Sequence, residues 1–271
     1  MLQLVIFILD IIVTVVLAIS TNLYTYSWGG WLILAIFIAN YVAFVGLFWL
    51  ECVIESLFIK YDKRPSERAR KYFHFKALLI ANALLFFSNV KVKKVNIPES
   101  ITKDHLIVFN HSSGYDPLII MDTMRGTSKC FIVKKELFSN TNPIGKIMFA
   151  AGAYGINRDD PFEGARIIKA ASKEISENHR SVIVAPEGTR SHKQELGEMH
   201  PGTFKIAFNA KCDIAVIGIK NAYKIRKHIF FKHTDVEIEL LAVLDYEKFK
   251  ESTTLDIKNE VENIYKDYLN R

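Results

Sequence analysis

Two long apolar runs open the chain. Residues 1–20, MLQLVIFILDIIVTVVLAIS, carry one charge, Asp10, and residues 31–50, WLILAIFIANYVAFVGLFWL, carry none. About 20 helical residues cross the ~30 Å hydrocarbon core of a bilayer. The second run therefore reads as a transmembrane helix, and the first as another, weakened by Asp10. The link between them, TNLYTYSWGG, is uncharged and rich in turn formers and aromatics, as suits the far end of a hairpin at a membrane interface. A cleaved signal peptide is the competing reading of the first run, but the basic n-region is missing. After Leu50 come Lys60, Lys63, Arg64, Arg68, Arg70, Lys71 and Lys76. The positive-inside rule then puts everything after the second run on the cytoplasmic side of the cell membrane.

Residues 66–87, SERARKYFHFKALLIANALLFF, begin with a capping-type Ser66 and a basic turn and then become apolar. The apolar part is too short to span. It fits an interfacial helix beside anionic head groups as well as a core helix. From about residue 90 the pattern changes to short β-type runs alternating with helical stretches. HLIVFN (105–110), KCFIV (129–133), AYGIN (153–157), SVIVAP (181–186), DIAVIGI (213–219) and VEIELLAV (236–243) predict strands. Residues 161–178, with Pro161 near the start, and 254–269 predict helices. The expected fold is α/β, a mixed, largely parallel sheet flanked by helices, behind an N-terminal transmembrane helical hairpin. The expected divisions are a hairpin at 1–55, a basic linker and interfacial helix at 56–89, and the α/β domain at 90–271.

Composition narrows the chemistry. The 271 residues are half hydrophobic, with a net charge of +6. Cys52, Cys130 and Cys212 are odd in number and far apart, which speaks against a disulfide framework and for a reducing compartment. No cysteine or histidine spacing suggests a metal, so none is expected. The basic excess hugs the membrane segment, which speaks against nucleic acid as a partner.

Candidate chemistry starts at VFNHSSGYDPLII, residues 108–120. His111 and Asp116 stand five apart, ~140° around a helix, so no helix face would unite them. A Ser-Ser-Gly-Tyr turn after a strand can do so. Asp116-Pro117 has the form of an N-cap followed by a first-turn proline. A carboxylate on one imidazole nitrogen leaves the other as a proton acceptor. Such a base has no nucleophile of its own and must activate a substrate hydroxyl. Basic groups end three further strands: Lys134 in FIVKKELF, Arg158 in GAYGINR, and Arg190 in VIVAPEGTRS. Arginine there offers a planar fork to a phosphate.

These residues resemble the motifs of the glycerolipid acyltransferase family, most nearly those of 1-acylglycerol-3-phosphate acyltransferases. Asn110, His111 and Asp116 match N-H-x-x-x-x-D. Gly152, Ile156 and Arg158 match the second motif, and Pro186 to Ser191 match P-E-G-T-R-S throughout. Lys134 matches a lysine before KELF. The resemblance covers roughly residues 70–220 and implies a glycerol-3-phosphate acyltransferase-like fold. It departs from the pattern in two places. Gly155 replaces a bulky apolar residue, and Asp213 and Val216 stand where the fourth motif has prolines. The resemblance implies acyl transfer from acyl-CoA or acyl-acyl carrier protein to lysophosphatidic acid, among membrane lipids and with no other cofactor. His111 would be the base and Asp116 its partner. Lys134, Arg158, Glu187, Gly188, Thr189 and Arg190 would bind substrate. Glycerol-3-phosphate or another lysophospholipid is the alternative acceptor. A non-enzymatic lipid-binding protein would share the anchor but would not need these motifs together. No G-x-S-x-G elbow supports a serine hydrolase.

Overall fold

The computed structural model describes residues 2–126, 129–157, 160–228 and 232–271. Two compact units divide the chain at residue 60, Met1–Lys60 and Tyr61–Arg271.

The first unit holds two packed helices, α1 (Leu2–Ser20) and α2 (Gly29–Phe58), both long and apolar enough to cross a membrane. Asp10 is fully buried and accepts from Thr14 Oγ1 at 3.2 Å. Asn40 of α2 reaches the same hydroxyl, and Tyr41 donates to Gln3 at 2.7 Å. The polar groups of α1 thus face α2, while Leu4, Phe7, Ile12 and Val16 face outward. An isolated charge in an apolar helix is tolerated when it finds partners inside the helix pair.

The second unit runs α3 (Glu67–Phe87), β1 (Val90–Val95), β2 (Leu106–Phe109), α4 (Asp116–Thr123), β3 (Cys130–Lys134), α5 (Pro143–Ala150), β4 (Tyr154–Ile156) and α6 (Pro161–Ser176). It continues β5 (Val182–Val184), α7 (Lys205–Ala210), β6 (Ile214–Lys220), α8 (Ile225–His228), β7 (Thr234–Leu244), α9 (Tyr246–Phe249) and α10 (Thr254–Asn270). The seven strands form one sheet in the order β1-β7-β6-β2-β5-β3-β4. Neighbours pair in parallel throughout, except β6 with β7. The sheet is mixed and largely parallel, as the strand pattern predicts. β1 is an addition: VKVKKV alternates apolar and basic residues because it is an outer strand with one side in water.

Strands buried on both faces read as continuous apolar runs. Leu106, Val108, Val182, Val184, Ile214 and Val216 meet α6, α7 and α10 through Ala171, Ile206 and Val261. Alternate residues such as Ile107, Ile183 and Ile217 point to the opposite face. α10 starts on a capping box, Thr253 with Asp256, and buries Ile257, Val261, Tyr265 and Tyr268 at helical spacing. Ser66 caps α3, accepting from the Ala69 amide at 3.3 Å. α3 packs on α4 and α5 and buries His74, Ala77, Ile80 and Ala81, leaving Tyr72, Phe75 and Phe86 outside.

Both departures from the motif pattern have local causes. A Cβ on Gly155 would stand 2.8 Å from the Phe138 ring, which occupies the space of a larger side chain. Asp213 accepts from the Tyr246 amide at 2.9 Å and so ties the start of β6 to α9. Val216 sits fully buried beside a register shift against β7.

His74 makes the stability of this unit pH-dependent. Burial, then the charges of Lys129 and Arg180, hold its imidazole down at about 4, against an ordinary 6.5. The unfolded chain therefore binds this proton first, and stability is lost as pH falls from 6.5 toward 4. We predict a loss of about 3 kcal/mol from this group by pH 4, a shift of one pKa unit being worth ~1.4 kcal/mol. Denaturant unfolding at pH 7 and pH 4 should show that component in the parent and lack it in His74→Gln. Equal pH slopes in the two proteins would refute the assignment.

Candidate active site

The site forms where β2 ends. Asn110, 3 % exposed, locks the strand end to β6: it donates to the Ile219 carbonyl at 3.0 Å and accepts from the Ile219 amide at 2.7 Å. The chain then leaves the sheet as the turn His111-Ser112-Ser113-Gly114-Tyr115.

Asp116 organises this turn. Its Oδ2 accepts from the Ser112 amide at 2.8 Å and the Ser113 amide at 2.7 Å, and lies 2.9 Å from His111 Nδ1. The turn closes the five-residue separation. One detail differs from the sequence reading: Asp116 is the first residue of α4, with Tyr115 in the cap position. Its carboxylate turns back onto the loop instead of capping its own helix, because the loop amides and the imidazole are the nearer donors. Asp116 is fully buried and His111 is 14 % exposed at its side chain. Burial pushes the Asp116 carboxyl up, while the His111 ring and the Ser113 and Ser112 amides pull it down; burial prevails. Among the described residues His111 Nε2 has no hydrogen-bond partner, and the Phe109 ring stands edge-on to the imidazole at 5.6 Å.

The turn after β5 closes over the first. Gly188 takes a φ of +74°, in the left-handed region that favours glycine, and its amide reaches the Ala185 carbonyl at 3.1 Å. Glu187, 2 % exposed, accepts from the His111 amide at 2.7 Å and from the Gly197 amide at 2.5 Å. Ser191 N–H donates to the His111 carbonyl at 2.9 Å. The backbone of His111 is thus held on both sides by one motif while its ring is held by another. Burial pushes the Glu187 carboxyl up as well. Arg190 is exposed and lays its guanidinium over Gly114, where a Cβ would meet Cζ at 3.4 Å. Thr189 is exposed on the same turn.

Other expected residues are placed differently. Lys134 ends β3, two strands from β2, with its side chain 63 % exposed and its Nζ 3.4 Å from Glu136. It stands on the same sheet edge but does not join the His111–Asp116 pair. Arg158 lies outside the described residues. Gly152, its motif partner, has a φ of +98°, and a Cβ there would meet the Arg180 and Arg70 side chains at 3.0 Å. The backbone roles of Glu187 and Asn110 are not visible in sequence. The nearest signal is that both lie inside the matched motifs.

Among the described residues no group of three His, Cys, Asp or Glu side chains is placed to hold a metal ion. Burial pushes the Cys130 and Cys212 thiols up to about 12, which leaves them poor nucleophiles.

Comparison with known proteins adds a lineage to this geometry. Residues 89–220 match the family model described as Acyltransferase. A probable 1-acyl-sn-glycerol-3-phosphate acyltransferase of Mycoplasma genitalium is 23% identical over 237 residues, covering 82% of this chain and 85% of that one. The protein of the same description from Mycoplasma pneumoniae is 30% identical over 164 residues, covering 59% of this chain and 60% of its own. Human 1-acyl-sn-glycerol-3-phosphate acyltransferase beta is 25% identical over 142 residues, 51% of this chain and 50% of that one. The fold resembles that of the crystal structure of the 1-acyl-sn-glycerophosphate acyltransferase PlsC from Thermotoga maritima. The TM-score is 0.57 at 19% identity, over 97% of both chains.

The Glu187 clamp is testable apart from any activity. Glu187→Ala leaves two part-buried amides without their acceptor, at up to about 1–3 kcal/mol each. We expect a lower melting temperature and faster hydrogen exchange at the His111 and Gly197 amides, with a smaller effect for Glu187→Gln. Unchanged exchange at His111 in the alanine variant would remove the clamp from the account.

Proposed function

The domain over residues 89–220 belongs to the acyltransferase family, and from that premise we propose that the protein moves a fatty acyl group from a thioester to the free sn-2 hydroxyl of 1-acylglycerol-3-phosphate, giving phosphatidic acid. The observation that carries the reading is the 2.9 Å contact between His111 Nδ1 and the buried Asp116 carboxylate. It supports an imidazole with its proton on Nδ1 and its lone pair on Nε2.

In the proposed reaction His111 Nε2 takes the proton of the acceptor hydroxyl as that oxygen attacks the thioester carbonyl. The C–O bond forms, the C–S bond breaks, and the imidazolium returns its proton to the departing thiolate. Asp116 stabilises the imidazolium and fixes its tautomer. The phosphate of the acceptor falls to Arg158 and to Arg190, whose place over Gly114 supports the contact, with Lys134 further along the same edge. Glu187, Gly188 and Thr189 shape the floor, Glu187 by holding the His111 backbone. The donor is acyl-CoA or an acyl carrier protein thioester, and the chemistry calls for no metal or other cofactor. α1 and α2 anchor the chain in the membrane that holds acceptor and product. The lysines and arginines after Phe58 favour a catalytic unit on the cytoplasmic side.

A transfer assay in detergent or vesicles tests this. It offers a labelled acyl thioester, as CoA and as carrier protein, with lysophosphatidate, glycerol-3-phosphate or lysophosphatidylcholine. We expect phosphatidate from the parent and a loss of about 10²–10⁴ in rate for His111→Ala, the usual worth of a positioned base. Asp116→Asn should lose rate while keeping acceptor KM. Acyl transfer by folded His111→Ala at the parent rate would overturn the mechanism. Product only from glycerol-3-phosphate or lysophosphatidylcholine would overturn the acceptor.

A further inference from the structure

The proposed chemistry uses the carboxyl edge of the sheet. A second polar cluster lies at the opposite edge, where β3 and β5 begin, and that chemistry makes no use of it. Lys129 precedes β3, Arg180 precedes β5, and Arg70 and His74 reach in from the first turns of α3. Lys129 is 1 % exposed and Arg180 7 %. Arg70 and Arg180 share the carboxylate of Glu174, at 3.3 Å and 3.0 Å, and Tyr154 also donates to it, at 3.0 Å. Arg180 directs further donors to the Lys129 and Ala151 carbonyls.

Beside this cluster opens a cavity of about 810 Å³, lined among others by Arg70, Lys71, His74, Phe75, His179 and Arg180. The acids at its rim are engaged: Glu67 with Lys71 at 2.7 Å, and Glu177 with Lys173 at 3.4 Å. His179 pairs with Asp104 at 3.0 Å. Two buried nitrogens on the wall have no partner, Arg70 Nε and His74 Nδ1. Buried polar groups without partners are rare and costly. Both belong to side chains that line the cavity. The direction of the local field agrees, since Lys129 and Arg180 disfavour a charged His74.

We propose that this cavity is an anion site for a phosphate group, held by Arg70, His74 and Lys71, separate from the catalytic edge. Phosphate suits it because it brings negative charge to a basic wall and several acceptor oxygens to unpartnered donors. The group can come from a phosphomonoester lipid, whose chain would lie along Phe75 and Leu78 on the cavity wall, or from free phosphate.

Histidine NMR of the full chain in detergent tests the site, with the His74 resonance assigned by its loss in His74→Gln. One arm adds inorganic phosphate; the other adds micelles doped with phosphatidate against micelles doped with phosphatidylcholine. The expected result is a saturable shift of the His74 signal and a rise in its pKa, both weakened at least tenfold in Arg70→Gln, with chloride at equal ionic strength without effect. Saturation by inorganic phosphate supports the free anion, and saturation by phosphatidate alone supports the lipid. A His74 signal that moves with neither, or moves equally in Arg70→Gln, overturns the proposal. Because the readout is His74 and not turnover, its failure leaves the acyl-transfer reading untouched, and an inactive protein can still pass it.

Discussion

One carboxylate oxygen, Asp116 Oδ2, accepts from two backbone amides and an imidazole, and the local fold follows from that demand. A carboxylate with no exposed surface is costly without donors, and here Oδ2 gathers all three while Oδ1 has no partner among the described residues. The Ser-Ser-Gly-Tyr loop must therefore curl until its amides point inward. That curl places His111 at the end of β2 with its ring against the acid. Glu187 repeats the device one strand away, offsetting its desolvation with the amides of His111 and Gly197. Two buried acids thus fix His111, Asp116 by its ring and Glu187 by its backbone amide, although the residue sits on neither a helix nor a strand.

The sheet supplies the frame on which these acids can work. β2 is flanked by β5 and β6 in parallel, so the loops that follow β2 and β5 emerge on the same edge. In open α/β sheets that edge is where ligands gather. Asn110 fastens the frame to the site, since its side-chain amide satisfies both the N–H and the C=O of Ile219 on the neighbouring strand.

Much of this is legible in the residues alone. LIVF, VIV and IAVIGI are apolar throughout because both of their faces are covered, and such runs stand out. α6 and α10 carry their caps and periodicity in plain sight. The link between His111 and Asp116 is equally open, since only a turn can unite them. β1 escapes a reading by apolar runs because three lysines in six residues hide an alternating outer strand. Asp116 reads as a cap because Asp-Pro usually is one; its preference for the loop depends on where the Ser112 and Ser113 amides end up. The work of Glu187 and of Asp213 cannot be read from sequence at all. Each holds a backbone group far along the chain, and backbone groups leave no mark in a sequence.

The bonds that fix His111 and the strand end before it reach far ahead in the chain. Glu187 is 76 residues downstream, and the Ile219 partner of Asn110 is 109 residues downstream. Contacts of that span close late, after the loop entropy between them has been lost. During synthesis α1 and α2 leave the ribosome more than 150 residues before Ile219 does, by position alone. The apolar helices can thus seek the bilayer while His111 is still a loose side chain on an unfinished sheet. Any chain cut short before β6 would keep its apolar helices while the end of β2 lacked the two bonds that fasten it.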